Sequence, residues 1–264
     1  MSLPFQSQRR IGGRNVVSRT ALLLAAVLCF GLPGFASDQF FQHSYPLPAG
    51  GSFLLENVNG SVKVDGWDRN EVEVRAVKIA KNDQRDLGRV KIDVQSRPGQ
   101  VLIHTLYPQG AGVEVAVEYH VYVPSRVLLS NIKTVNGSVL VRGVAGGGDL
   151  HSVNGNVEVL DSSGRFSAKT TNGDLRLELT HLHDGAPMNL ETINGSVVLG
   201  LPSSAGADLT VLNVNGEFSS ELPVTSTEAS IAARAFRAKL GMGGPEICVR
   251  TVNGGIHLVR EPSA

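Results

Sequence analysis

The most ligand-like cluster in the chain is His181-Leu182-His183-Asp184. Alternate residues of a strand share one face, so the two imidazoles would reach toward the same metal ion. A zinc site takes three or four ligands, which makes Asp184 the obvious third one. The residues that follow, Gly185-Ala186-Pro187, indicate a turn, where exposed polar side chains are ordinary. We therefore expect neither a metal nor a cofactor, and keep His181, His183 and Asp184 as the positions to inspect.

Three aspartates, Asp161, Asp174 and Asp184, are the candidates for acid/base chemistry on a glycan. Glycosidases use two carboxyl groups held at a set separation, and the sequence alone identifies no such pair. It also lacks a Gly-x-Ser-x-Gly elbow, a His-Glu-x-x-His motif and a P-loop. A non-enzymatic role is therefore expected, and a polysaccharide lyase or glycoside hydrolase is the alternative.

Three further residues are interpreted as structural. The single tryptophan, Trp67, is expected to pack rather than to offer a sugar platform, since tryptophans are buried on average. Glu158 and Arg176 occupy equivalent positions in neighbouring repeats, which predicts a surface ion pair worth about 0–1 kcal/mol.

The composition excludes several classes of protein for the chain that carries these residues. The 264 residues carry 24 basic and 24 acidic side chains, and this balance argues against a general nucleic-acid or anionic-membrane binder. Two cysteines exclude a disulfide scaffold and any multi-cysteine metal centre. Thirty glycines with 42% apolar and 5% aromatic residues favour a turn-rich β protein.

The N-terminus has the pattern of a secretory signal peptide over residues 1–36. Four arginines and no acidic residue precede an apolar run from Ala21 to about Leu32, and small residues lead to a cleavage site after Ala36. The run is shorter than the roughly 20 residues that span a bilayer, which favours a cleaved signal peptide. An uncleaved membrane anchor is the alternative. Cleavage would leave 20 basic and 24 acidic residues and one cysteine, Cys248, which is expected to be buried in a strand.

An Asn-Gly dipeptide recurs through the remaining chain. Consecutive asparagines are 77, 18, 18, 22, 21 and 38 residues apart, and self-similarity near 20 residues is typical of a repeat array. The seven copies are Asn59-Gly60, Asn136-Gly137, Asn154-Gly155, Asn172-Gly173, Asn194-Gly195, Asn215-Gly216 and Asn253-Gly254.

Fixed columns of residue types surround these copies. The positions four before the asparagine and two after the glycine are apolar in all seven, while the position two before the asparagine is always Thr, Ser or Asn. Alternation on both sides of a tight turn predicts strand, corner and strand. The all-β fold predicted is a parallel β-helix-like solenoid of about 20-residue repeats, with asparagines laddered along the corners; a β-sandwich or meander is the alternative.

Residues 37–264 are predicted to form one domain, in which 131–260 hold the regular repeats. Residues 38–130 are less regular and are expected to cap the coil. Their predicted strands are Ser52–Glu56, Ser61–Val64, Glu71–Ile79, Val90–Val94, Val101–Leu106 and Val113–Val123. Thr227–Leu240 is predicted as loop and strand.

Three segments resemble a known family. They are Asn57-Val58-Asn59-Gly60-Ser61-Val62-Lys63-Val64-Asp65-Gly66-Trp67, Tyr119-His120-Val121-Tyr122-Val123-Pro124, and Gly241-Met242-Gly243-Gly244-Pro245 with Arg250-Thr251-Val252-Asn253-Gly254-Gly255-Ile256. Together they are similar to the bacterial "putative adhesin" β-strand-repeat proteins, a cell-envelope domain of unknown function. The resemblance covers roughly residues 40–260. It implies an elongated β-helix-like fold outside the cytoplasm and supplies no catalytic residue.

These observations predict an exported, periplasmic, cell-surface or secreted protein of a bacterium. Its expected role is a structural or adhesion-type module that displays a repetitive β surface. The expected partner is an envelope glycan or a protein, with self-association as a further option, no nucleic acid, and no transmembrane span once the signal is cleaved.

Overall fold

The computed structural model describes residues 39–110, 112–183, 187–230 and 235–261, all within one compact unit from Ala36 to Ala264. These residues form 21 strands and one short 3-10 helix, Gln84–Gly88. The strands are β1 (Gln39–Pro46), β2 (Ser52–Glu56), β3 (Val62–Trp67), β4 (Glu71–Ala80), β5 (Lys91–Arg97), β6 (Gln100–Leu106), β7 (Val115–Pro124), β8 (Leu128–Lys133), β9 (Val139–Arg142), β10 (Gly148–His151), β11 (Val157–Ser163), β12 (Phe166–Lys169), β13 (Leu175–His181), β14 (Met188–Asn194), β15 (Val197–Pro202), β16 (Ala207–Asn215), β17 (Phe218–Ser220), β18 (Val224–Ser230), β19 (Ala235–Leu240), β20 (Glu246–Asn253) and β21 (Ile256–Glu261).

Two mixed sheets hold all of these strands, so the predicted all-β class is confirmed. Sheet A has ten strands in the order β1-β4-β7-β3-β9-β11-β13-β15-β21-β17. Sheet B has eleven in the order β18-β19-β16-β20-β14-β12-β10-β8-β2-β6-β5.

Every Asn-Gly dipeptide lies where the chain passes from sheet B to sheet A. We call each such unit, a sheet B strand with the sheet A strand that follows its Asn-Gly, a rung. The seven rungs are β2/β3, β8/β9, β10/β11, β12/β13, β14/β15, β16/β17 and β20/β21. Neighbouring rungs pair in parallel in both sheets.

The last rung in sequence is not the last in space. β20 lies between β14 and β16, and β21 lies between β15 and β17. Chain order alone would place β16/β17 next to β14/β15. The C-terminal strands β20 and β21 therefore fill an interior position in each sheet. The rung β16/β17 has a parallel neighbour only when β20 and β21 are in place.

The core lies between the two sheets. Val157, Leu175 and Val197 are fully buried along sheet A, and Leu150 is fully buried in sheet B. Each sits at a position where the alternating pattern turns an apolar side chain inward. Burying one such side chain contributes about 1.5–3 kcal/mol.

Antiparallel strands cover both ends of the parallel region. At one end β4 pairs with β1 and β7, and β5 pairs with β6. The buried Lys78 of β4 donates to the carbonyl of Val90 at 2.7 Å and to the Gln39 side chain at 3.1 Å, which ties the segment after the 3-10 helix to β1. At the other end β19 pairs with β16 and β18, where Phe236 packs edge-on against Phe218.

Several strand bounds differ from those predicted. Ser52–Glu56 has the predicted limits, whereas the strand predicted as Val113–Val123 runs from Val115 to Pro124. Thr227–Leu240 falls on β18 and β19, with 231–234 outside the described residues. Alanines give this segment helix propensity, but pairing with β16 supplies hydrogen bonds that favour strand.

The predicted signal peptide, residues 1–36, lies outside the described part of the chain. Within the described ranges, no helix combines the length and the apolar character needed to cross a bilayer.

Candidate functional site

The asparagines of the seven corners form one continuous hydrogen-bond ladder on the protein surface. From the second rung onward, each side-chain amide donates to the Oδ1 of the asparagine in the preceding rung, at 2.8 Å in five contacts and 3.0 Å in the sixth. In spatial order the ladder runs Asn59, Asn136, Asn154, Asn172, Asn194, Asn253 and Asn215. Asn253 precedes Asn215 because the last rung is inserted between the fifth and sixth.

A second ladder lies inside the corner. The hydroxyls of Thr134, Ser152, Thr170, Thr192 and Thr251 each donate to the carbonyl of the corner glycine in the preceding rung, at 2.8–2.9 Å. These five residues are at most 5% exposed. A buried carbonyl without a donor is costly, so the column needs a small side chain with a donor.

Asparagine replaces threonine at the two ends of this inner ladder. Asn57 is 3% exposed, and its Nδ2 donates to the carbonyls of Gly60 at 3.0 Å and Val117 at 2.8 Å. At the other end of the ladder, Asn213 Nδ2 donates to the carbonyl oxygen of Gly254 in the neighbouring rung at 3.3 Å. An amide has two N–H donors, so it serves an end where a second carbonyl also needs a partner.

A third ladder follows the glycines, and the sequence analysis missed it. Side-chain oxygens of Ser61, Ser138, Asn156, Asp174 and Ser196 each accept the backbone N–H of the equivalent residue in the next rung, at 2.8–3.3 Å. This column contains Ser, Asn and Asp. In the sequence, it could be found as a residue with a side-chain acceptor oxygen directly after the corner glycine. It ends at Gly255, which has no side chain.

The corner glycines are required by crowding between rungs. A Cβ at Gly173 would collide with the backbone carbonyl of Gly155, and one at Gly195 would collide with that of Gly173. The same overlap recurs at Gly137. The glycine column therefore lets adjacent corners approach closely enough for all three ladders to form.

The candidate metal ligands His181, His183 and Asp184 are not shown to converge in the described residues. His181 and His183 are exposed, and the His181 ring contacts Thr180 Oγ1 at 3.3 Å. Asp184 lies outside the described residues. No group of three or more His, Cys, Asp or Glu side chains within the described ranges is arranged to hold a metal ion.

Three carboxylates from separate rungs border a cleft of about 560 Å³. They are Asp161 in β11, Glu178 in β13 and Glu261 at the end of β21. The Glu261 carboxylate lies against Gly200, in space that a Cβ at that position would occupy. Asp161 has φ of 49°, at a register shift between β11 and β13. Of the two predicted carboxylates within the described residues, Asp161 borders the cleft and Asp174 belongs to the third ladder.

Burial and neighbouring charges in this cleft favour the protonated form of the Glu261 carboxyl group. Burial raises the pKa of Glu261, and the negative charges of Glu178 and Asp161 raise it further, while Arg176 opposes the rise. Arg176 Nε contacts Glu178 Oε1 at 2.6 Å. The predicted ion pair between Arg176 and Glu158 is wrong, because Glu178 lies two residues along the same strand face.

Two other predicted roles can be compared with the structure. The Trp67 ring stacks on Tyr122 at a centroid distance of 5.3 Å, lies 4.7 Å from the Arg69 guanidinium, and donates its N–H to the Glu71 carbonyl at 2.9 Å. These contacts fit a packing role. Cys248 is only half-buried, because it alternates with the inward-facing Ile247 and Val249, and the expectation of burial was wrong.

Residues 130–258 match the family model described as Toastrack DUF4097. Over these residues the chain is similar to that family. The matched segment includes six of the seven Asn-Gly corners, and Asn59-Gly60 precedes it. The match confirms the family resemblance drawn from the sequence. No curated protein matches the chain.

Three solved structures that are similar to this chain carry descriptive names. A "putative cell adhesion protein" from Clostridium sporogenes is 12% identical with a TM-score of 0.42, covering 84% of this chain and 100% of that one. A "putative adhesin" from Bacteroides fragilis is 9% identical with a TM-score of 0.36, covering 86% and 99%. A "putative lipid binding protein" from Parabacteroides distasonis is 12% identical with a TM-score of 0.39, covering 83% and 96%.

Proposed function

We propose that the protein is an exported, non-enzymatic module of the bacterial cell envelope that acts in adhesion-type binding or in structure. The observation that carries this proposal is the seven-asparagine ladder with its two companion ladders. Hydrogen bonds that run across every rung hold the corner rigid, so side chains are displayed at fixed intervals of about 4.8 Å. A rigid, regular surface binds an extended partner through many weak contacts at little entropic cost.

The fold proposed for this role is a parallel β-helix-like solenoid of about 20 residues per turn, formed by residues 37–264. The parallel pairing of neighbouring rungs in both sheets supports it. Residues 1–36 are proposed to be a cleaved signal peptide. The mass of the protein secreted from its native host tests this, since retention of residues 1–36 would contradict cleavage after Ala36.

The partner proposed first is an envelope glycan, with a protein or a second copy as the alternatives. Full-length protein is incubated with a panel of insoluble envelope and extracellular polysaccharides and then sedimented. The proposal predicts retention on at least one glycan, with no release of sugar. No retention on glycans, on envelope protein fractions or on itself would contradict a binding role.

A second candidate function is cleavage of a polysaccharide, and the carboxylate cleft favours it. A glycosidase needs one carboxyl group that stays protonated and a second that is ionised. Glu261, with its raised pKa, would be the acid, and Glu178 or Asp161, which border the same cleft, would supply the second carboxyl group. Newly released reducing ends that disappear in both Glu261→Gln and Glu178→Gln would support this function, and release unaffected by either substitution would exclude this cleft.

A further inference from the structure

A shallow groove of about 610 Å³ runs over the outer surface of sheet B, where β8, β10 and β12 lie side by side. Lys133, His151 and Lys169 occupy the same register position on these three strands. Their chain neighbours Ile132, Leu150 and Ala168 are buried, so the three basic side chains project outward. They form a row that crosses the strands, parallel to the ladders.

The groove is cationic although the whole chain is neutral. Among the described residues, Lys133 has no ion-pair partner, and Lys169 pairs with Glu191 outside the groove at 3.1 Å. The one acidic side chain that lines the groove, Asp149, is 2.9 Å from Arg165. A ligand in the groove therefore meets one unpaired ammonium group, that of Lys133, whose neighbours across the strands are His151 and Glu56.

His151 sits at the centre of the row and is half-buried. Burial lowers its pKa, the lysines on either side lower it further, and Asp149 opposes them. An anion bound between the two lysines would reverse part of that effect. The histidine then gives a direct report of anion binding at this place.

One aliphatic side chain, that of Val153, forms an apolar rim to the same groove. Val153 is 36% exposed and lies beside Thr171, at the position directly before each corner asparagine. Val58 and Ile193 are exposed at the equivalent positions of other rungs. An aliphatic side chain beside a row of basic residues suits a ligand that has both carboxylates and C–H faces.

We propose that this groove binds a linear acidic polysaccharide that runs across the rungs. Strand spacing places the backbones at Lys133 and Lys169 about 9.5 Å apart, with His151 midway. Successive sugars of an extended polyuronate would place their carboxylates along this row and their ring faces against the Val153 rim. This inference rests on the proposed binding function and names the glycan chemistry and the surface that binds it.

The test measures binding of polygalacturonate to the full-length protein, with neutral dextran and poly-L-glutamate as comparison polymers. The double variant Lys133→Gln/Lys169→Gln removes the row, and Lys91→Gln on the edge strand β5 removes an equally exposed charge elsewhere on sheet B. We expect at least tenfold weaker polygalacturonate binding in the double variant, no change in Lys91→Gln, and weaker binding with added salt. Equal binding in wild type and double variant would overturn the proposal.

A second measurement does not depend on the variants folding. The His151 imidazole of wild-type protein is titrated by NMR with and without polygalacturonate, and a raised pKa is expected with the polymer bound. An unchanged His151 pKa would mean that the polymer does not bind beside His151, and would overturn the proposal that this groove is the binding site. Retention on neutral glycans or poly-L-glutamate with no preference for polygalacturonate would overturn this inference and leave a binding function standing, whereas failure to bind any glycan or protein would contradict the proposed function itself.

Discussion

The hydroxyl of Thr192 donates a 2.9 Å hydrogen bond to the carbonyl oxygen of Gly173, across the step from one rung to the next. Thr192 is fully buried. This contact explains why the position two before each asparagine is always Thr, Ser or Asn. The corner glycine turns its carbonyl inward, and the side chain of the following rung provides the donor.

Replacing Thr192 by Val keeps the shape and removes that donor. We expect Thr192→Val to lower the free energy of unfolding by about 1–3 kcal/mol, because the Gly173 carbonyl is left buried without a partner. Thr192→Ser keeps the hydroxyl and should lose less. Urea denaturation of the three proteins measures the difference, and equal stability of Thr192→Val and wild type would mean that this bond is not needed.

The surface ladder predicts a position-dependent cost. Asn154 donates to Asn136 and accepts from Asn172, whereas Asn59, at the end, accepts only from Asn136 within this ladder. Since each bond contributes about 0.5–1.5 kcal/mol, Asn154→Ala should cost about twice as much as Asn59→Ala. The free energies of unfolding compare the two, and the reverse order would contradict a ladder that extends across the corners.

Crowding at the corners is tested by alanine in place of glycine. Gly173→Ala should destabilise by about 3 kcal/mol, because its methyl group collides with the Gly155 carbonyl. Gly88→Ala is the matched control, since a Cβ there meets no atom within 4 Å. Melting temperatures distinguish them; a Gly173→Ala protein as stable as Gly88→Ala would show that the rungs are farther apart than described.

The lowered pKa of His151 predicts part of the loss of folding stability at acid pH. Its pKa in the folded protein lies below its ordinary value of 6.5, so the unfolded chain takes up the proton first as pH falls. The stability of wild type relative to His151→Gln should therefore be constant above about pH 7 and decrease as pH falls through 6.5 toward the folded pKa. Urea denaturation at several pH values checks this, and an increase toward acid would contradict the direction of the shift.

The sequence predicts the corners well because three columns of residue types repeat there. Asn-Gly, the small donor before it and the apolar positions around it each correspond to one physical need. The mixed Ser, Asn and Asp column was missed because its members share only an acceptor atom. Cys248 was misplaced because its apolar neighbours suggested a buried strand, while alternation turns the thiol outward.

Adjacency between rungs could not be predicted from chain order. The 37 residues between Asn215 and Asn253 contain the antiparallel strands β18 and β19, and the chain then returns to the inner side of β16. The carboxylate cleft depends on this insertion, because it brings Glu261 beside Gly200 and Glu178. Spacing in sequence gives no sign of that neighbourhood.

The central claim is that the protein binds an extended partner without altering it. Size-exclusion chromatography with light scattering measures the molar mass of a soluble polygalacturonate before and after prolonged incubation with the protein. Our account predicts that the polymer peak gains mass in steps of bound protein and that the polymer has its original length after the protein is removed. A polymer shortened by wild type, and left intact by Glu261→Gln, would contradict the account and assign the carboxylate cleft to catalysis.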